Sequence, residues 1–203
     1  MPRSKLLILS ACGVVLGICL ALLLVPGALQ RVLPTGGVRA VGQATIGGPF
    51  ALTDHNGRRV SEADFRGRHM LVFFGFTHCP DVCPSALQVA SAAIDKLGAR
   101  AAGLTPVFIS LDPERDTPAQ MKSYVSSFHK SFVGLTGSPE EVAAVAKAYR
   151  VYFARTKDPK STAGYTIDHT SIIYLMGPDG TFLTHFTHAT PVDTIATALA
   201  KYM

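Results

Sequence analysis

The sequence predicts an α/β domain, a mixed sheet with helices on both faces, carried behind one transmembrane helix. Three observations predict it. Short apolar runs of strand length alternate with segments of helical period, the pattern of a sheet wrapped by helices. Two pairs of these runs are joined by tight-turn residues, His55-Asn56-Gly57 and Gly177-Pro178-Asp179-Gly180, which read as β-hairpins at either end of the alternating stretch. Ahead of them all, residues 6–25 form a charge-free apolar run behind Arg3 and Lys5.

A helix over residues 6–25 is long enough to span a bilayer core of about 30 Å. The two leading cations place the N-terminus in the cytoplasm and the remainder across the membrane. The expectation is a retained anchor (residues 1–30) in a bacterial inner membrane, with the folded domain in the periplasm. A cleaved signal is the competing reading, but its apolar core is shorter and no clean small-x-small site follows. Residues 31–45, RVLPTGGVRAVGQAT, are Gly-rich without apolar period and read as a linker. The domain is expected over residues 46–203.

Its first element is a hairpin, 50–53 with 58–60, since Asn-Gly supplies the positive φ angles of a tight turn. The run 70–76, Met-Leu-Val-Phe-Phe-Gly-Phe, reads as a strand buried on both faces. A helix is expected from Pro84, with Leu87, Ala90, Ile94 and Leu97 on one face and Gly98 as its stop. Residues 106–111 make a second apolar strand. Three helix starts share one signal, a hydroxyl before Pro with an acceptor three residues on. They are Thr117-Pro118 with Gln120, Ser138-Pro139 with Glu141, and Thr190-Pro191 with Asp193. Residues 132–135 suit a short strand, and 171–176 with 181–186 a closing hairpin. A βαβ half followed by a ββα half is the grammar of a thioredoxin-like core, here with an N-terminal hairpin and a helix/strand insertion at 117–135.

The net charge of +5 comes from 19 Lys+Arg against 14 Asp+Glu. No basic run interleaved with aromatics occurs, so nucleic-acid binding is not indicated. Of four cysteines, Cys12 and Cys19 fall in the apolar leader. Cys79 and Cys83 remain, at the join of a buried strand and a helix start, where sites form in open sheets and where thiol pKa falls. Such a pair either binds a metal or does redox chemistry. Disulfide oxidoreductases usually separate their cysteines by two residues, whereas three stand here, Pro80-Asp81-Val82. Paired thiolates favour Cu(I) or Zn. Met70, Met121 and Met176 read as core. His78 is expected to point away from Cys79, and His185 and His188 to lie on the surface. Phe73, Phe74 and Phe76 are expected beneath the site. The segment Asp112-Pro-Glu-Arg-Asp116 reads either as a solvated loop held by a local Arg–carboxylate pair or as a contact surface for a partner or for the site.

Three motifs in order, Phe74-Gly-Phe-Thr-His-Cys-Pro-Asp-Val-Cys-Pro84, Phe108-Ile-Ser-Leu-Asp-Pro-Glu-Arg-Asp-Thr117, and Asp168-His169 ahead of Ile172-Ile-Tyr-Leu-Met-Gly-Pro-Asp-Gly180, resemble the Sco/SenC family of copper proteins. The resemblance runs from about residue 46 to the C-terminus. It implies a thioredoxin-like fold and one copper ion, Cu(I) or Cu(II), held by Cys79, Cys83 and His169. Among seven histidines, residue chemistry alone does not select His169, which is expected on a loop entering the strand at 171. The implied role is copper delivery to the dinuclear centre in the copper-bearing subunit of cytochrome c oxidase, with an upstream copper donor. The alternative is a thiol-disulfide reductase that keeps the receiving cysteines reduced. In it Cys79 and Cys83 form the catalytic redox-active dithiol, Cys79 attacking and Cys83 resolving.

Overall fold

The computed structural model describes residues 45–161 and 163–203. The expected leader helix at 6–25 and nearly all of the linker at 31–45 lie outside the described residues. No helix among the described residues is long and apolar enough to cross a membrane.

The first hairpin forms as its turn residues require. Strands β1 (Ala51–Asp54) and β2 (Arg59–Ser61) pair antiparallel. Gly57 adopts φ 82°, and the Asp54 carboxylate accepts from the N–H groups of Asn56 and Arg58, both at 2.9 Å. The apolar runs become β3 (His69–Gly75) and β4 (Leu104–Ser110), which pair parallel from His69↔Leu104 to Gly75↔Ser110. Both are buried along nearly their whole length, as strands covered on both faces must be. Between them runs α1 (Val82–Leu97), whose buried face carries Leu87, Ala90, Ile94 and Leu97 and which stops at Gly98 with φ 56°. This helix starts two residues earlier than Pro84, so Cys83 sits inside its first turn.

Helices α2 (Pro118–Val125) and α3 (Pro139–Ala148) open as expected. Thr117 Oγ1 accepts from Gln120 N at 3.3 Å, and Ser138 and Glu141 complete a reciprocal capping box. The short strand β5 (Val133–Thr136) joins β4 in parallel and β1 antiparallel. The closing hairpin is β8 (Ile172–Met176) with β9 (Phe182–Thr187), followed by α4 (Val192–Tyr202). Thr190 does not cap α4. Its hydroxyl oxygen accepts from Thr187 N at 3.0 Å, closing the turn after β9, and the helix begins past Pro191.

The sheet order is β2-β1-β5-β4-β3-β8-β9. The β3-α1-β4 and β8-β9-α4 units are the two halves of a thioredoxin-like core, and α1 packs against α4. One element was not legible in the sequence: β6 (Phe153–Lys157) and β7 (Tyr165–His169) form a separate antiparallel pair, with Phe153 opposite His169. Its half-exposed Thr, Arg and Lys positions give no clear alternation. His169 therefore ends a strand and does not lie on a loop.

Candidate metal centre

The chain leaves β3 at Gly75 and reaches Cys79 in four residues. Cys79 N donates to Phe76 O at 3.2 Å, which turns the loop toward the N-terminus of α1. There the Cys79 sulfur accepts from Cys83 N at 3.4 Å, while the Asp81 side chain makes no capping bond to the backbone. The thiol thus takes one of the free amides that a helix start exposes. Cys83, fully buried, presents its Sγ 3.7 Å from His169 Nε2. The His169 Nδ1 lies 3.1 Å from the Thr170 carbonyl, which can only accept, so the Nδ1 carries the proton and Nε2 faces the thiols. Edge-on contacts from Phe73 and Phe76, with ring centroids 6.2 and 6.1 Å away, hold the imidazole. Phe74 is not part of this floor; it packs against Tyr149 and Tyr174.

The two thiols are unequal. Cys79, only partly buried, is held well below the ordinary thiol range, first by the Cys83 S–H donated to it. Burial opposes this, and the His169 ring and the amides of Cys83 and Asp81 reinforce it. Cys83 is pushed up by donating that same hydrogen bond, by burial and by the negative charge on Cys79. Cys79 is therefore the thiolate and Cys83 the thiol. In the reduced, metal-free protein, iodoacetamide is expected to modify Cys79 and spare Cys83. The rate should stay nearly flat from pH 8 to pH 6, because a depressed pKa keeps the thiolate populated throughout. An ordinary thiol with pKa about 8.5 would slow by roughly fifty- to hundredfold over that span, and such a profile would refute the asymmetry.

The Asp112–Asp116 segment is no solvated loop: Glu114 is exposed, but the Asp112 and Asp116 carboxylates are fully buried, and the expected local pair is present between Arg115 and Asp112. Asp116 accepts from Thr77 N (3.0 Å), Thr77 Oγ1 (2.6 Å) and Ser110 Oγ (2.6 Å), pinning the strand of chain that leads to Cys79. Asp116 closes the charged segment that the sequence marks, whereas neither Thr77 nor Ser110 carries a sequence signal of its own. His78 is exposed, with its Nδ1 3.1 Å from Thr77 Oγ1, and His185 and His188 are exposed. The Asp168 carboxylate accepts from Thr156 Oγ1 at 2.9 Å across the β6–β7 pair and does not orient His169. Met70, Met121 and Met176 are core residues.

Among the described residues, no set of three or more His, Cys, Asp or Glu is already closed around a metal position. Cys79, Cys83 and His169 are instead linked as a hydrogen-bonded cluster, with Cys79 and Cys83 free of any disulfide. With metal–sulfur and metal–nitrogen bonds of about 2.3 and about 2.0 Å, the 3.7 Å between Cys83 Sγ and His169 Nε2 corresponds to an angle of about 120° at a shared ion. Two sulfurs and an imidazole are a soft set suited to Cu(I) or Zn.

A family model described as SCO1/SenC matches residues 38–203. The human protein SCO1 homolog, mitochondrial, is 46% identical over 168 residues, covering 81% of this chain and 55% of its own length. Protein SCO1 homolog 1, mitochondrial, of Arabidopsis thaliana is 44% identical over 163 residues, covering 80% and 48%. The chain thus spans about half the length of these relatives. Among solved structures, Bradyrhizobium japonicum ScoI with copper bound is similar at 46% identity and a TM-score of 0.72, covering 78% of this chain and 99% of that one.

Proposed function

The chain belongs to the SCO1/SenC family, and from that premise we propose that it binds one copper ion through Cys79, Cys83 and His169 and hands it on. The receiver is the copper-bearing subunit of cytochrome c oxidase, and a separate upstream protein supplies the metal. The observation that carries the reading is the meeting of His169 Nε2 with Cys83 Sγ at 3.7 Å across 86 residues of sequence. Copper in the solved relative from Bradyrhizobium supports the choice of metal. Delivery is ligand exchange. An incoming thiolate displaces one donor at a time, and a three-donor site leaves room for it to approach. Cys79, the more exposed sulfur, is released first. The protein works from the outer face of a bacterial inner membrane, held there by residues 6–25.

The test is a copper titration of the reduced full chain carrying Cys12→Ala and Cys19→Ala, which leaves Cys79 and Cys83 as its only thiols. One equivalent should bind, with a sulfur-to-Cu(II) charge-transfer band, and His169→Ala should abolish that band and weaken Cu(I) retention against a chelator. Binding that His169→Ala leaves unchanged sinks the three-donor site.

The inequality of the two thiols favours a second activity at the same residues, disulfide reduction. The Cys79 thiolate attacks one sulfur of a disulfide in the target, and the other target sulfur leaves as a thiolate. Cys83 then loses its proton and attacks the Cys79 sulfur, releasing the second target thiol and leaving a Cys79–Cys83 disulfide, two electrons having passed to the target. This route needs no imidazole ligand, so it survives His169→Ala.

A further inference from the structure

Strands β6 and β7 pair only with each other, and an isolated two-stranded ribbon is marginal in water. Yet its last residue is His169, so something outside the ladder must fix the ribbon if the imidazole is to sit at one place. Residues 165, 167 and 169 share one face of β7. Ile167 is buried in the core. Beside it lies a partly open cavity of about 170 Å³, whose lining includes Leu111, Val142, Phe153, Arg155 and Ile167.

Tyr165 makes the firmer attachment. Its hydroxyl donates to the buried Asp112 carboxylate, 3.0 and 3.3 Å from the two oxygens. Its ring is sandwiched between two guanidinium groups, Arg115 at 4.1 Å and Arg155 at 4.3 Å from the centroid. Arg155 is anchored in turn by Glu114 at 2.9 Å. Arg115 bonds Asp112 through Nε, but both of its Nη atoms are buried without a hydrogen-bond partner. Instead the guanidinium also lies 5.9 Å from the Phe76 ring, and Phe76 meets the His169 imidazole edge-on at 6.1 Å. Arg155, Tyr165, Arg115 and Phe76 thus form a series of alternating cations and rings that starts near the surface, and the edge contact of Phe76 carries it on to the His169 imidazole. Buried idle N–H groups are costly, and cation–π contact recovers only part of that cost. An arrangement that breaks the rule of satisfied polar groups points to a functional constraint.

We propose that Tyr165 and Arg115, backed by Arg155, are positioning residues for His169: the stack fixes the β6–β7 ribbon on the domain and so sets the reach of the imidazole toward Cys79 and Cys83. The proposal rests on the copper-site reading above. None of these three residues belongs to the candidate ligand set. They act through the ribbon and through Phe76.

The test is a double-mutant cycle of Cu(I) affinity in the Cys12→Ala, Cys19→Ala full chain. Tyr165→Leu should weaken copper retention by about 10- to 100-fold, the range for groups that orient a metal ligand. In a His169→Ala background the same change should have no further effect. Tyr165→Phe, which keeps the sandwiched ring and loses only the hydroxyl bond to Asp112, should lose clearly less than Tyr165→Leu. In the metal-free protein, hydrogen exchange at residues 165–169 should quicken in Tyr165→Leu while β3 and β4 keep their protection. Should Tyr165→Leu fail to fold, Arg155→Ala, at a half-exposed position, asks the same question, with a loss that again requires His169. Equal losses with and without His169, or faster exchange throughout β3 and β4, would mean general damage and overturn the proposal. So would an unchanged affinity in Tyr165→Leu. If His169→Ala itself binds copper like the parent, the site reading is what has failed, and the cycle reports that separately.

Discussion

A Cys83→Ser variant is expected to lose copper by more than about a hundredfold while keeping its fold. Residues that merely orient a metal ligand cost about 10- to 100-fold, so removal of a ligand should exceed that range. Serine replaces a soft, ionisable donor with a hard hydroxyl that stays protonated and does not hold Cu(I). The fold should tolerate the exchange because the smaller Oγ relieves no essential contact. Cys83 is crowded, with its Sγ close against the backbone of Gly75 and the imidazole of His169. A serine hydroxyl can also donate to the Cys79 thiolate as the thiol does, so no buried polar atom is orphaned. Paired Cu(I) competition and thermal melts check both halves. Tight one-to-one binding by Cys83→Ser would remove Cys83 from the site.

The second large effect is expected at a residue with no side chain. Gly75→Ala should lower stability by about 1–3 kcal/mol, the usual cost of overpacking a filled core, and weaken copper binding together with it. A Cβ at residue 75 would stand 2.7 Å from Cys83 Sγ, 2.9 Å from Phe108 Cε2 and 3.3 Å from Phe73 Cε1. The backbone cannot easily retreat, since Gly75 pairs with Ser110 on β4 and Gly75 O accepts from Leu111 N at 2.7 Å. The sulfur must move, and with it the donor that faces His169. For a domain of this size the melting temperature should fall by about 2–12 °C. A variant that melts like the parent would show that the contact yields freely.

The sequence by itself determined the elements that announce themselves locally. Apolar runs marked β3 and β4, the hydroxyl–Pro pairs Thr117-Pro118 and Ser138-Pro139 marked two helix starts, and Gly57 and Gly98 marked a turn and a stop. It also located the thiols, because Cys79 and Cys83 lie between a buried strand and a helix start. These signals are legible because each depends on residues within one or two turns of chain.

Only the tertiary structure decided the rest. Thr190 carries the same local signal as Thr117, yet its hydroxyl serves the β9 turn. Asp112 and Asp116 look like surface charges in the sequence, and they are buried because Thr77, Ser110, Arg115 and Tyr165 arrive from other segments to satisfy them. The β6–β7 pair has too polar a sequence to declare itself, and its position depends on partners in the Asp112–Asp116 segment. His169 is one histidine of seven until the fold closes 86 residues of chain and sets its Nε2 against Cys83. Propensity, capping and period act over a few residues. Which distant side chains meet is fixed by sheet order and register, and those come from the burial of the whole core at once.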